Sequence, residues 1–313
     1  MPDVVVVGSL NMDMVVRVQR VPQAGETLTG DHFETIPGGK GANQAAAVGR
    51  LGCPVAMLGC VGADAFGEAL RHNLQRMGVD VSGVASVSSQ PTGTATILVE
   101  GSGENRIVVV PGANASLSPA HIDAHEALIA QARFMLTQFE TPLPTILHAL
   151  RLARAHGLRT ALNPAPAAPI SDELYRLVDV LVVNETEASA LSGVPVSDAA
   201  SASRAASALQ AKGPGIVAVT LGARGALLLS AEGLLDQPAR PVEVVDTTAA
   251  GDAFVGALVV ALRSALPLPD ALRYAVSAGT LAVTQFGAQP SLPTAEAVEA
   301  FQLMHAGGSP QKG

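Results

Sequence analysis

Short unbroken apolar runs recur along the chain, and each ends in a tight turn or a helix-like stretch. Val4 to Val7 is the first, closed by Gly8, and Val55 to Cys60 repeats its form. Phe134 to Gln138, Thr160 to Asn163, Val180 to Asn184 and Ile216 to Thr220 follow, while Ala65 to Met77 is amphipathic at helical spacing. Runs this short and this apolar suit strands buried on both faces. Their alternation with helices predicts an α/β fold: a Rossmann-like, mostly parallel sheet with helices on both faces. A composition of 48% hydrophobic and 15% charged residues fits such a sheet and argues against long disorder.

Two stretches break the rhythm. Met14 to Val18 stands apart from any helix signal, and Thr94 to Val99 and Ile107 to Val110 flank the turn-rich "EGSGEN", which reads as a hairpin loop. Together they predict a small antiparallel β-sheet, serving as a lid or a dimer contact, drawn from about residues 14–36 and 92–111. The 313 residues allow one large domain or two smaller ones. The reading is one domain over residues 1–305 and a disordered tail over 306–313.

Charge narrows the function. A net charge of −8 without a basic cluster excludes a nucleic-acid surface, though backbone N–H groups would still bind a small anion. Cys53 and Cys60 match no common zinc spacing and read as buried thiols. His121 and His125 read as solvated surface. The start "MPDVVVVGSL" lacks a basic region and reads as a first strand rather than a signal peptide. No apolar run reaches the roughly 18 residues of a membrane span, so the expected location is cytoplasmic.

Five motifs remain. "PGGKGANQAAAVGRLG" places glycines around Lys40 at the start of an Ala-rich helix. Such a loop either brings backbone N–H groups to a polar ligand or merely turns the chain. It is not a P-loop, which needs G-x-x-x-x-G-K-[ST]. In "GSLNMD", Asn11 and Asp13 follow the first strand and, two apart in an extended segment, point the same way. They would meet neighbouring sugar hydroxyls, or form an Asx turn. In "NETE", Asn184 and Glu187 suit either a magnesium shell or a capping box. "TLGARG" is a phosphate-cradling turn or a hairpin. "VVDTTAAGDAFVGAL" reads as a strand over Val242 to Val245, then a helix whose N-terminus carries Ala249, Ala250 and Gly251. There the helix dipole favours Asp252 as an anion, and the bare amides would hold a phosphoryl group in transfer. Asp246 is left over.

"GGKGANQAAAVGRLG" and "DTTAAGDAF" resemble the two signature stretches of the PfkB carbohydrate kinases. "GSLNMD", "GETLTG", "LNPAPA", "NETE", "TLGARG" and "GAQPSLPT" match in the same order along nearly the whole chain. The resemblance, narrowed to the branch acting on D-ribose, implies transfer of phosphate from ATP to the sugar's 5-hydroxyl by a homodimer paired through its β lids. It implies Asp252 as general base and Ala249, Ala250 and Gly251 as anion hole. Asn11, Asp13, Gly39, Lys40, Asn43 and Glu140 would bind the sugar. Asn184, Thr220, Gly222 and Gly225 would hold ATP, and Glu187 would act on Mg²⁺ through water. Asp246, Thr248 and Ser291, with carbonyls near Ala282, Gln285 and Gly287, would hold K⁺. One departure is Val276, where the family has a polar contact to adenine, which implies a mostly apolar adenine pocket.

Other readings compete. Adenosine kinase fits poorly, because 3% aromatic residues offer few faces for a base. A sugar-phosphate kinase would need more basic groups. A 2-deoxyribose or other pentose kinase stays open, since one hydroxyl contact decides such specificity. A catalytically silent sugar-binding regulator would not need Asp252. A dinucleotide oxidoreductase would carry G-x-G-x-x-G after the first strand, where this chain has "GSLNMD".

Overall fold

The computed structural model describes residues 1–102 and 104–306. Its main sheet has nine strands. In chain order these are β1 (Val4–Val7), β4 (Val55–Gly62), β5 (Val79–Val87), β8 (Phe134–Gln138), β9 (Arg159–Asn163), β10 (Val180–Asn184), β11 (Ile216–Thr220), β12 (Ala226–Ser230) and β13 (Gly233–Gln237). The second sheet holds β2 (Asn11–Val18), β3 (His32–Gly38), β6 (Gly93–Glu100) and β7 (Asn105–Val110). The main sheet runs β13-β12-β11-β10-β9-β8-β1-β4-β5 and is parallel from β5 to β11. Only β12 and β13 are antiparallel.

The first strand shows why the sheet needs two helical layers. Val4 and Val6 enter one apolar cluster, and Val5 and Val7 enter the other, on the opposite face. All four are wholly buried, as alternation along a strand requires. The first cluster is closed by the helices Lys40–Arg50, Ala250–Arg263 and Leu268–Ala282. At the crossing of the first two, a Cβ added to Gly256 would lie 2.6 Å from Ala47 Cβ. The helices meet too closely there for any side chain.

β1 pairs with β4 on one side and β8 on the other. After β1 the chain leaves for the small sheet, builds β4 and β5 to one side, then returns to build β8 to β11 on the other. The order therefore reverses at β1, and ligands of open α/β sheets bind in the crevice such a reversal leaves beyond the carboxyl ends of the strands.

The small sheet stands where the two irregular stretches placed it, but it begins at Asn11 and is mixed rather than antiparallel. Its central pair, β2 and β6, runs parallel, because the whole β4–β5 unit intervenes between them. β2–β3 and β6–β7 are antiparallel. Two other expectations change. Val242 to Val245 form no strand: β13 already ends the sheet, Val244 and Val245 are exposed, and the segment is tied down by Val245 and Asp246 N–H groups donating to Val283 O. His121 and His125 are half-buried rather than solvated, one bonded to Gly83 O and the other to His121 O. Cys53 and Cys60 are buried free thiols, and burial pushes both up to about 11. From residue 307 on, the expected tail lies outside the described residues. Among those described, no helix is long and apolar enough to cross a membrane.

Gly256→Ala forces the two helices apart. It is expected to lower unfolding stability by about 1–3 kcal/mol, read as a lower urea midpoint. An unchanged midpoint would show that the helices separate freely.

Candidate functional site

The crevice beside β1 is stitched by a carboxylate. Ser9, just after β1, donates its hydroxyl to Glu140 Oε2 at 2.6 Å, and Glu140 follows β8. The same oxygen accepts the Lys40 N–H at 3.0 Å, while Ser9 Oγ accepts that of Gly41 at 3.2 Å. The start of the Lys40–Arg50 helix is thus capped by groups from two other strands, and the acid sits where the helix dipole favours it. Gly39 makes the approach possible. Its φ of 89° lies in the left-handed region, and a Cβ there would lie 2.7 Å from Asn11 N.

Asn11 and Asp13 leave the crevice on β2. Asn114 fixes the first of them: its Oδ1 accepts Leu10 N–H at 2.9 Å, and its Nδ2 donates to Asn11 Oδ1 at 2.8 Å and Leu10 O at 3.0 Å. Across the crevice, Asp252 lies in the first turn of the Ala250–Arg263 helix and is buried. Asn43 Nδ2 donates to its Oδ2 and Gln44 Nε2 to its Oδ1, each at 2.9 Å. Gln44 also donates to Asn163 Oδ1 at 3.0 Å and accepts from Gln138 Nε2 at 2.6 Å. Asn11, Asp13, Gly39, Lys40, Asn43, Glu140 and Asp252 are therefore drawn into one region. Gln44, Ser9, Asn114, Gln138 and Asn163 support it without having been singled out. Gln44 stood next to Asn43 in "GANQ", and adjacency in a helix gave no sign that both amides reach one carboxylate.

The region is rich in acids. Burial, reinforced by the charges of Glu140 and Asp252, pushes the Asp13 carboxyl up to about 7. Burial also raises Asp252, opposed by the Lys40 charge and by the two amide hydrogen bonds. Glu187 is raised by burial, against the Asn184 N–H and the Lys40 charge. Burial pulls Lys40 down, but Asp252, Glu140, Glu187 and Asp13 outweigh it and hold the amine above its ordinary value. One ammonium thus faces four carboxyls.

A channel of about 230 Å³ opens from Asp252, lined among others by Lys40, Asn184, Glu187, Thr220, Ala249 and Gly251. Ala249 caps the helix with φ 59°, a left-handed conformation that an alanine adopts at a cost of about 1–2 kcal/mol. Ala250 N–H is held by Thr247 O at 3.3 Å. Those of Gly251 and Asp252 make no hydrogen bond among the described residues. Asn184 and Glu187 form a full capping box, with Glu187 N–H on Asn184 Oδ1 at 2.8 Å and Asn184 N–H on Glu187 Oε2 at 2.9 Å. Thr220 pairs with Asn184 across β10 and β11. Gly222 and Gly225 lie in the turn between β11 and β12 and line no part of this channel. At Gly225, a Cβ would strike Gln237 O.

Asp246 is a tether. Its Oδ1 accepts the Thr248 N–H at 2.9 Å and hydroxyl at 2.6 Å, and its Oδ2 accepts Gly287 N–H at 2.9 Å. Gly287 belongs to the loop that runs from Ala282 through the exposed Gln285 to the buried Ser291, whose hydroxyl donates to Ala288 O at 2.8 Å. Val276 lines a separate cleft of about 670 Å³. Arg240, Arg273, Ser277, Thr280 and Gln302 line it together with Pro238, Phe301 and Leu303.

Residues 1–295 match the model of the pfkB family carbohydrate kinases. A ribokinase from Haemophilus influenzae is 42% identical over 301 residues, spanning 96% of this chain and 98% of that protein. A Salmonella typhi deoxyribokinase is 36% identical over 295 residues, spanning 94% and 96%. The solved structure of Arabidopsis thaliana ribokinase complexed with ribose and ATP superposes with a TM-score of 0.91, at 34% identity over 96% of this chain and 98% of that one.

The raised Asp13 carboxyl makes stability depend on pH. As pH climbs from 3.8 towards about 7, the unfolded chain loses this proton before the folded protein does. Ionisation then favours unfolding, so stability falls across that window, and the full cost stands above it. Asp13→Asn in the ligand-free protein is expected to raise the urea midpoint relative to the parent at about pH 8 but not at about pH 4. Equal differences at both would place the effect elsewhere.

Proposed function

Because the chain belongs to the pfkB family of carbohydrate kinases, we propose that it is a ribokinase. It transfers the terminal phosphoryl group of ATP to the 5-hydroxyl of D-ribose, giving D-ribose 5-phosphate and ADP. The observation that carries this reading is the place of Asp252. Its carboxylate is buried at a helix start, gripped by two amides, and lies between the sugar-side cluster and the channel. Residues 1–305 act as one kinase domain with the small sheet as lid.

Asp252 takes the proton of the attacking hydroxyl, as a general base must. The strained Ala249 turn, the free N–H of Gly251 and that of Ala250, on a long 3.3 Å bond to Thr247 O, form the anion hole for the phosphoryl group in transfer. Asn11, Asp13, Asn43 and Glu140 supply acceptors and an amide for the sugar hydroxyls, with Gly39 and Lys40 at the helix start beside them. Asn184 and Thr220 hold the nucleotide phosphates at the channel. Gly222 and Gly225 contribute through the shape of their turn, and the Val276 cleft takes the base.

Glu187 suits magnesium. Its Oε1 makes no hydrogen bond among the described residues, and such a carboxylate oxygen accepts from the water shell that this ion keeps. When bound, the ion neutralises phosphate charge. Asp246, Thr248, Ser291 and the carbonyls of Ala282, Gln285 and Gly287 provide a donor set of oxygens with one carboxylate. That set suits a monovalent cation such as K⁺, which when bound adds positive charge beside the anion hole. Asp246 already ties together the two segments that would share it.

The lid also supports pairing. Phe33 and Ile107 to Val110 are exposed on its strands, a concentration of apolar surface that marks interaction sites. The protein works in the cytoplasm as a homodimer joined through these sheets, and light scattering is expected to give twice the chain mass. A monomer at micromolar concentration would rule the dimer out.

The kinase assay uses D-ribose, 2-deoxyribose, fructose and adenosine, each with and without potassium. Ribose is expected to lead, with potassium stimulation that Asp246→Ala removes. Asp252→Asn is expected to cut turnover by roughly 10²–10⁴. A lead for 2-deoxyribose would keep Asp252 as base and reassign the sugar contacts. Turnover by Asp252→Asn near the parent's would overturn the mechanism.

A further inference from the structure

Asp252 ends a chain of hydrogen bonds that all point one way. Arg76 Nη2 donates to Asn73 Oδ1 at 2.9 Å, and Asn73 Nδ2 donates to Gln289 Oε1 at 2.5 Å. Gln289 Nε2 donates to Asn43 Oδ1 at 3.2 Å, and Asn43 Nδ2 donates to Asp252 Oδ2 at 2.9 Å. The links join the helix Ala65–Arg76, the short turn Gln289–Ser291, the helix Lys40–Arg50 and the helix Ala250–Arg263. Arg76 is at the surface, while Asn73, Gln289, Asn43 and Asp252 are 8%, 0%, 6% and 7% exposed.

The direction follows from the two ends. A guanidinium only donates, and an ionised carboxylate only accepts. The three amides between them must therefore align head to tail, each N–H end towards Asp252. A reversed Asn43 would set its carbonyl against the carboxylate and its NH₂ against that of Gln289. Aligned hydrogen bonds polarise one another and strengthen in a low-dielectric interior.

We propose that Gln289, held by Asn73 and Arg76, is a positioning residue for phosphoryl transfer: it fixes the Asn43 amide so that N–H rather than carbonyl faces the base. The proposal rests on the reading of Asp252 as that base. Gln289 itself touches neither Asp252 nor the channel, so its effect passes through Asn43.

Two variants break the chain at different links. Gln289→Met keeps length and bulk but cannot donate to Asn43. Asn73→Asp keeps shape and the contact with Arg76, but its carboxylate cannot donate to Gln289, and it substitutes no residue of the 282–291 segment. Both are compared with the parent for kcat, for KM of ribose and ATP, and for the pH profile of kcat. The charged groups facing Asp252 are Lys40 on its helix, Glu140 after β8, Asp13 on β2 and Glu187 on the helix Glu185–Ser192. Neither variant alters them.

The expected result is a fall in kcat of roughly tenfold near neutral pH, with the acid limb moved up by about one pH unit because the base has lost an aligned donor. KM for ATP stays within about twofold, since the nucleotide contacts are not touched. Parent-like kcat and acid limb in folded variants, checked by thermal melting, would overturn the proposal. So would an even loss at every pH with the limb unmoved, which is the mark of a purely structural role. If Gln289→Met does not fold, Asn73→Asp decides alone. Asp252→Asn runs alongside. An active parent, an inactive Asp252→Asn and unchanged relay variants sink the relay alone. A parent inactive on every acceptor, or an active Asp252→Asn, sinks the functional reading and the relay together.

Discussion

The grip of two amides on one buried carboxylate is what the rest of the architecture serves. Asp252 rides on the helix Ala250–Arg263, and Asn43 and Gln44 ride on the helix Lys40–Arg50. Both amides reach only if the helices cross closely, which the bare Cα of Gly256 against Ala47 permits. The helices in turn are placed by one face of the sheet, through Val4 and Val6. A fully buried carboxylate without such partners would simply hold its proton. With them, the two amide bonds and the Lys40 charge oppose the rise that burial causes, and each bond gains strength in the dry interior.

The second determinant is the reversal of strand order at β1. It brings Ser9 from one strand end and Glu140 from the next within 2.6 Å, and both then cap the helix that carries Lys40. The small sheet leaves from the same point, so Asn11 and Asp13 hang over the crevice as part of β2. Site and lid are thus consequences of one topological event, and Asn114 secures their junction at Leu10 and Asn11.

Much of this was legible in the sequence because it is local. Apolar runs bounded by glycine, polar ends of strands and a small-residue helix start are read from neighbours along the chain. The lid was legible as two stretches, but not the parallel pairing of β2 with β6, which depends on what the chain builds between them. Val242 to Val245 read as a strand from its valines. Whether such a run becomes one depends on a free sheet edge beside it, and the segment is instead held by Val283 O. Val276 read as the sign of an apolar pocket, and what joins it in its cleft, from Arg240 to Phe301 and Gln302, comes from distant segments. Gln138, Asn163 and Gln289 were invisible as site residues for the same reason. An amide in a sequence shows neither its direction nor its partner.

The balance of charge in the site says what it suits. Four carboxyls act on the single ammonium of Lys40, and the amides of Asn43 and Gln44 are already turned towards Asp252. The free capacity beside Asn11, Asp13 and Glu140 is therefore mostly acceptor capacity. A neutral polyol offers hydroxyl donors to such groups and asks for no counter-charge, whereas a sugar phosphate would bring its own anion against Asp13 and Glu140. The N–H groups of Gly251 and Asp252, without a hydrogen bond among the described residues, lie on the other side, at the channel. Acceptor groups on one side and backbone N–H donors on the other thus divide the region at Asp252.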